Sequence, residues 1–249
     1  MKKRSQAEIA EALPPLPYHL ALCDYLKRRE PGQWQRFASP KLQSDYRKSA
    51  RLSLLKSSSR LERKSRPDIY AVADQVKAAL KLDVPVTLYQ GTAGSNISPA
   101  TLFMPKEAQV ICAAARFEML TEAELAAQLG HELAHYWLYT FAGGEFLTAA
   151  RMLEAMAGEP HAEFSHLESA RRFQLYTEIY ADRASLLVAG ELSVAVSCLA
   201  KLQTGSKQLS PENCLKEAEE RVIATKSAVK QAKENLRLAE GRYKGGLAT

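Results

Sequence analysis

The sequence predicts an α+β protein that is mostly helical with a small sheet, and three observations carry that expectation. Between 68 and 80, Ile69, Val72, Ala73, Val76, Ala79 and Leu80 recur at the i, i+3, i+4, i+7 spacing of a helix that lies on a core. Three short apolar runs follow at 84–89, 100–104 and 109–113, each bounded by turn-forming residues, and read as strands of a small sheet that is antiparallel at one edge. After Thr121 the pattern is wholly helical. With 249 residues, 46% hydrophobic and 25% charged, the chain has enough apolar side chains for a real core, which excludes wholesale disorder and a disulfide-stapled miniprotein.

Taken in order, a helix begun near Ala7 ends at Pro14, Pro15 and Pro17, because the proline ring removes a backbone donor and clashes with the turn before it. Another starts near Tyr18, carries Leu20, Leu22, Tyr25 and Leu26, and stops at Pro31-Gly32. A third is expected over 40–63 with Leu42, Tyr46, Leu52, Leu55 and Leu61 as its sparse apolar side. Pro67 opens the stronger helix of 68–80. Residues 91–96 read as a loop and Pro105-Lys106-Glu107 as the turn between the last two strands. Thr121 followed three residues later by Glu124 is a capping box that fixes the start of the next helix. Residues 211–240 form a mixed-charge helix whose Leu215, Val222, Val229 and Leu236 recur by sevens, a spacing that suits docking on another helix.

Charge divides the chain. Residues 1–66 hold sixteen Lys or Arg against six Asp or Glu, a local +10 within an overall +6. The expected organisation is a basic helical N-terminal arm over 1–66, a core over 67–209, and a charged C-terminal helix and tail over 210–249. Arg47, Lys48, Arg51, Lys56, Arg60, Arg63, Lys64 and Arg66 suit contact with an anionic surface or a protein partner. No aromatic stacking platform or groove-reading motif accompanies them, so sequence-specific nucleic-acid binding is not expected. Charged residues interrupt every apolar stretch before the roughly 18 residues that a membrane span needs, and Ser5-Gln6-Ala7-Glu8 stands where an export signal needs an apolar run. Cys23, Cys112, Cys198 and Cys214 fall at no metal-knuckle or redox spacing and are expected as reduced, mostly buried thiols. A cytoplasmic location is the expectation.

The chemistry sits inside the capped helix, at His131-Glu132-Leu133-Ala134-His135. Four residues advance a helix by little more than one turn, so both imidazoles leave one face and can bind one cation. Neutral imidazole suits zinc, and the carboxylate of Glu132 stands where it can reach a water beside the metal. A third ligand must come from another element. His161 and His166 lie in what reads as a connector, whereas Glu178 lies in a clear helical run with Asp182 one turn later on the same face. A ligating carboxylate followed by a second carboxylate suits a ligand plus a hydrogen-bond partner for a histidine ring.

The run from Leu125 to His135 followed by Glu178-Ile179-Tyr180-Ala181-Asp182-Arg183 resembles the gluzincin metallopeptidases grouped with the CAAX prenyl protease and HtpX. Asn96-Ile97, the strand ending at Cys112 and the Leu120 to Leu125 lead-in fall where that family has its edge strand and helix entry, so the resemblance covers about 67–205. It implies a zincin-like core with the sheet packed on the helix of His131 and His135. It also implies zinc held by His131, His135 and Glu178, Glu132 as general base, Asp182 orienting a ligand, and a polypeptide substrate laid along the strand near Asn96. Family members best known are membrane proteins, which this chain departs from. They also carry a late His-Pro before an Arg facing the substrate oxyanion. Here Ser210-Pro211 precedes Arg221, so Arg221 matches without the histidine, and Tyr180 or His166 are the substitutes to consider.

The functional expectation is a zinc-dependent endopeptidase. The rival is a catalytically weak or inactive zinc-stabilised binding protein that uses its basic arm and C-terminal helix.

Overall fold

Prolines set the entry of four helices. Pro17, Pro31, Pro40 and Pro67 open α1 (Pro17–Arg29), α2 (Pro31–Ala38), α3 (Pro40–Ser57) and α4 (Pro67–Ala79). At that position the missing N–H is one the helix leaves unpaired anyway, and the fixed φ already suits helix. Pro31-Gly32 therefore starts α2 as well as ending α1, a helix that apolar spacing does not signal. The computed structural model describes residues 13–91, 106–206, 210–217 and 219–220.

The helix expected to run to residue 63 ends at Ser57. The hydroxyls of Ser57 and Ser58 donate back to the carbonyls of Ser53 and Leu54 at 2.7 and 2.6 Å, and the cap at Ser58 is extended. Serine side chains that compete for the helix's own carbonyls favour its termination. Residues Ser58–Arg60 then form β1, which pairs antiparallel with β2 (Val86–Gly91) in the register Ser58 to Gly91 and Arg60 to Tyr89. On its other edge β2 pairs parallel with β3 (Ala108–Ala113), Val86 opposite Ala108. Among the described residues the sheet is thus three-stranded, mixed, in the order β1-β2-β3, with its antiparallel edge supplied by the N-terminal segment. The expected strand at 100–104, the helix begun near Ala7, Asn96 and Arg221 lie outside the described residues. Of the helix expected over 211–240, residues 211–217 are helical.

After β3 come α5 (Ala114–Met119), α6 (Glu122–Thr140), a short 3-10 turn, α7 (Glu145–Ala157), α8 (Phe164–Ala189) and α9 (Leu192–Thr204). β3 and α4 pack on α6, and α6 lies against α8. One apolar cluster joins Leu22, Leu26 and Phe37 to Val76, Leu88 and Val110 and on to Leu129, Leu133, Met152 and Tyr180. The boundary expected at residue 66 does not separate the packing. α1 and α2 bury Leu22, Leu26 and Phe37 in that common core. In α3 the buried apolar residues are Ala50 and Leu54, while Leu52 and Leu55 of the expected apolar side are exposed. All four cysteines are free thiols, three of them buried. Among the described residues no helix is long and apolar enough to cross a membrane.

Two buried polar contacts fasten the N-terminal segment to α8. Nε2 of His19 lies 3.3 Å from Oγ1 of Thr177, and the hydroxyl of Tyr180 donates to the carbonyl of Leu13 at 3.0 Å. His19 is fully buried beside the rings of Phe146, Phe173 and Tyr180, and that burial holds its imidazole down at about 4. A histidine depressed below its unfolded value of about 6.5 contributes stability that is present above that pH and is lost as pH falls through 4. His19→Gln keeps a partner for Thr177 but cannot be protonated. Urea unfolding at pH 7 and pH 4 is expected to show the variant losing less stability on acidification than the parent, by up to about 3 kcal/mol.

Candidate metal centre

The helix that carries the two histidines is anchored at its start. Thr121 N–H donates to Glu124 Oε2 at 2.8 Å, and Thr121 Oγ1 accepts from Glu124 N–H at 3.3 Å, which completes the expected capping box. The same buried carboxylate accepts from Ser197 at 2.5 Å and pairs with Lys201 at 2.7 Å, so α9 is clamped to the first turn of α6. Burial alone would push Glu124 up, and the bonds from Lys201, Ser197 and Thr121 together hold it below the usual carboxylate range.

One turn further, Gly130 lets α6 approach α8. A Cβ on Gly130 would stand 3.0 Å from Val188 Cγ2, 3.1 Å from Val188 Cβ and 3.4 Å from the carbonyl of Ala184. This close approach brings the imidazole face of α6 against the carboxylate face of α8. Nε2 of His131 and Nε2 of His135 are 3.2 Å apart. Glu178 sets one carboxylate oxygen 3.3 Å from the first and the other 3.8 Å from the second. The three ligand atoms converge within 4.8 Å of one another, the arrangement of a site that can hold a metal ion. Ligands of a tetrahedral zinc at about 2.0–2.1 Å stand roughly 3.3 Å apart, so the observed spacings fit that ion.

Electrostatics favour a cation at this point. Nδ1 of His131 lies 3.0 Å from Asp182, which leaves Nε2 as the atom turned toward Glu178 and His135. Burial pulls His131 down, but the hydrogen bonds to Asp182 and Glu178 and the charge of Glu132 outweigh it and raise the ring to about 10. His135 is lowered by its deeper burial. Glu178 is held below the usual range by its bond to His131. Two imidazoles backed by three carboxylates, with Glu178 45% exposed, form a site whose ligands are fixed on one side and open on the other.

Glu132 shares the helix with the histidines but lies outside the ligand trio. Its carboxylate accepts a 2.6 Å bond from Nε2 of Gln128, a buried side chain one turn earlier on the same face. Tyr139 lies one turn beyond His135, with the ring centroids 6.5 Å apart, and is hydrogen-bonded to Thr177. Sequence reasoning missed Gln128, Gly130, Thr177 and Tyr139 as supports. Only Gln128 leaves a readable signal, a polar amide at i−4 from Glu132 in an otherwise apolar helical flank.

Of the residues weighed as alternatives, none reaches the centre. His161 is exposed in a turn before α8. His166 stands on α8 twelve residues before Glu178, roughly 18 Å along the helix. Tyr180 is fully buried with its hydroxyl committed to Leu13, so it cannot face a substrate. No family model, curated protein or solved structure matches this chain.

Two outcomes test the geometry. Gly130→Ala gains about 1 kcal/mol of helix propensity against its tight contacts, whereas Gly130→Val overpacks the helix crossing and is expected to cost about 1–3 kcal/mol in chemical unfolding. Asp182→Asn is expected to weaken the binding of a divalent metal ion, read with zinc as the probe, about ten- to a hundredfold in chelator competition without abolishing it. Replacing both His131 and His135 by Ala is expected to abolish it.

Proposed function

We propose that this chain is a zinc-dependent endopeptidase of the gluzincin kind, as its resemblance to the CAAX prenyl protease and HtpX group implies. The observation that carries the reading is the convergence of His131, His135 and Glu178, with Glu132 on the adjoining position of the same helix. His131, His135 and Glu178 would hold the zinc, and Asp182 would fix the ring of His131 from behind. When bound, the ion supplies Lewis acidity, which polarises a scissile carbonyl and lowers the pKa of water toward about 7.

The chain's own residues do the rest. Glu132 takes the proton of the attacking water at its carboxylate and passes it to the leaving amine nitrogen as the C–N bond breaks. Gln128 holds that carboxylate from one turn away, so its direction is set before the substrate arrives. The polypeptide would run extended along the segment near Asn96, pairing backbone to backbone. Arg221 is the proposed donor to the oxyanion, a role for which Tyr180 is ruled out by its burial.

Openness favours catalysis over a purely structural zinc. Structural sites are closed by four protein ligands, while three ligands and an exposed flank leave a position for water and substrate. The decisive measurement pairs zinc content with hydrolysis of a denatured protein. Glu132→Gln is expected to keep its metal and lose cleavage by at least about a hundredfold. A variant that keeps both would assign the cleavage to a different base or to a contaminating protease, and a parent that holds zinc and cleaves nothing would return the site to the binding-protein reading.

A further inference from the structure

We propose that the outward face of α3 is a docking surface for an anionic lipid membrane. The helix has two unlike sides. Inward, Ala50 and Leu54 are buried, and Tyr46 lies under the guanidinium of Arg151 at 4.4 Å. Outward, Leu52 and Leu55 are 59% and 67% exposed, one turn apart, and Lys41, Lys48, Arg51 and Lys56 are exposed around them. One carboxylate shares that face, Asp45, which stands 3.8 Å from Lys48. The leucines are not surplus from an unfilled core, because the helical register gives the inward positions to other residues. Their exposure within a ring of cations is the pattern of an interfacial helix, whose apolar side chains enter the headgroup boundary while Lys and Arg meet lipid phosphates.

Other occupants fit less well. A nucleic acid satisfies the cations but has no use for two leucines. A second copy would bring the same positive face against itself. The chain's own residues 211–249 carry eight Lys or Arg against six Asp or Glu, so taken as a whole they add positive charge to the face and do not offset it. A protein interface of ordinary size draws on aromatic residues and is depleted in Lys at its centre, whereas this face has no aromatic and is framed by lysines. Lipid phosphate with acyl chain beneath it matches both parts of the surface. The inference is independent of the metal centre.

Sedimentation of the full chain with vesicles tests it. Binding to phosphatidylcholine vesicles containing about a third phosphatidylglycerol is expected at low salt, at least about tenfold tighter than to phosphatidylcholine alone. The pair Leu52→Ser and Leu55→Ser is expected to weaken vesicle binding about tenfold while leaving heparin binding unchanged. Lys48→Glu with Arg51→Glu is expected to weaken both by about tenfold or more. All four side chains are exposed, so circular dichroism and melting should match the parent. No preference for the anionic vesicles overturns the proposal. So does a serine pair that binds vesicles as the parent does, an outcome that leaves a general polyanion surface. A serine pair that instead changes the oligomeric state, with vesicle binding intact, assigns the face to a second copy.

Discussion

The structure depends on how closely α6 approaches α8. At Gly130 the backbone of α6 meets the side chain of Val188 with no side chain of its own, and a Cβ there would press on Val188 and on the carbonyl of Ala184. His131 follows immediately, and its ring crosses to Asp182 and Glu178 on the facing helix. Glycine in a helix interior costs about 1 kcal/mol relative to alanine. Here that cost accompanies a separation small enough for imidazole and carboxylate to share one point, which no pair of larger residues at the crossing would allow.

A crossing this close is useful only if it is held in register, and buried polar contacts do that from both sides. Glu124 binds the start of α6 to α9 through Lys201 and Ser197. Thr177 and Tyr180, which bracket Glu178, are bonded to His19 and to the Leu13 carbonyl. Each of these groups would be expensive to bury alone and is paired instead. They specify the rotation of α6 and α8 about their own axes, and with it the direction of the ligands, more sharply than apolar contact does.

Much of this was legible in the sequence, and the limits have physical reasons. The ligand helix, its capping box and the pairing of Glu178 with Asp182 follow from i, i+3 and i, i+4 geometry, which is local and survives folding unchanged. The helix over 68–80 was visible for the same reason, as periodicity, and the strands expected at 84–89 and 109–113 were visible as apolar runs between turns, the first lying two residues later at Val86–Gly91. The third strand was not, because Ser58–Arg60 has no apolar alternation and exists only by pairing with β2. In α3 the leucines misled. A count of apolar residues by spacing does not say which stripe is buried, and the small Ala50 with Leu54 won the inward position over Leu52 and Leu55. Nothing local marked Gly130, since its significance lies in what stands opposite it on α8.

The N-terminal segment shows why a charge boundary is a poor guide to a structural one. Its basicity is real, but it is a property of outward positions, whereas Leu22, Leu26, Phe37 and Leu54 are buried. β1 closes one edge of the sheet, and α1 lies against α8 through His19. Loss of the segment would expose the edge of β2, remove a share of the core, and take the His19 contact from Thr177, one residue from Glu178. The segment therefore bears on the candidate metal centre through α8, on which Thr177 adjoins Glu178. The two faces of the segment thus differ in what they do: the inner face packs in the common core and bonds to α8, and the outer face carries the charge.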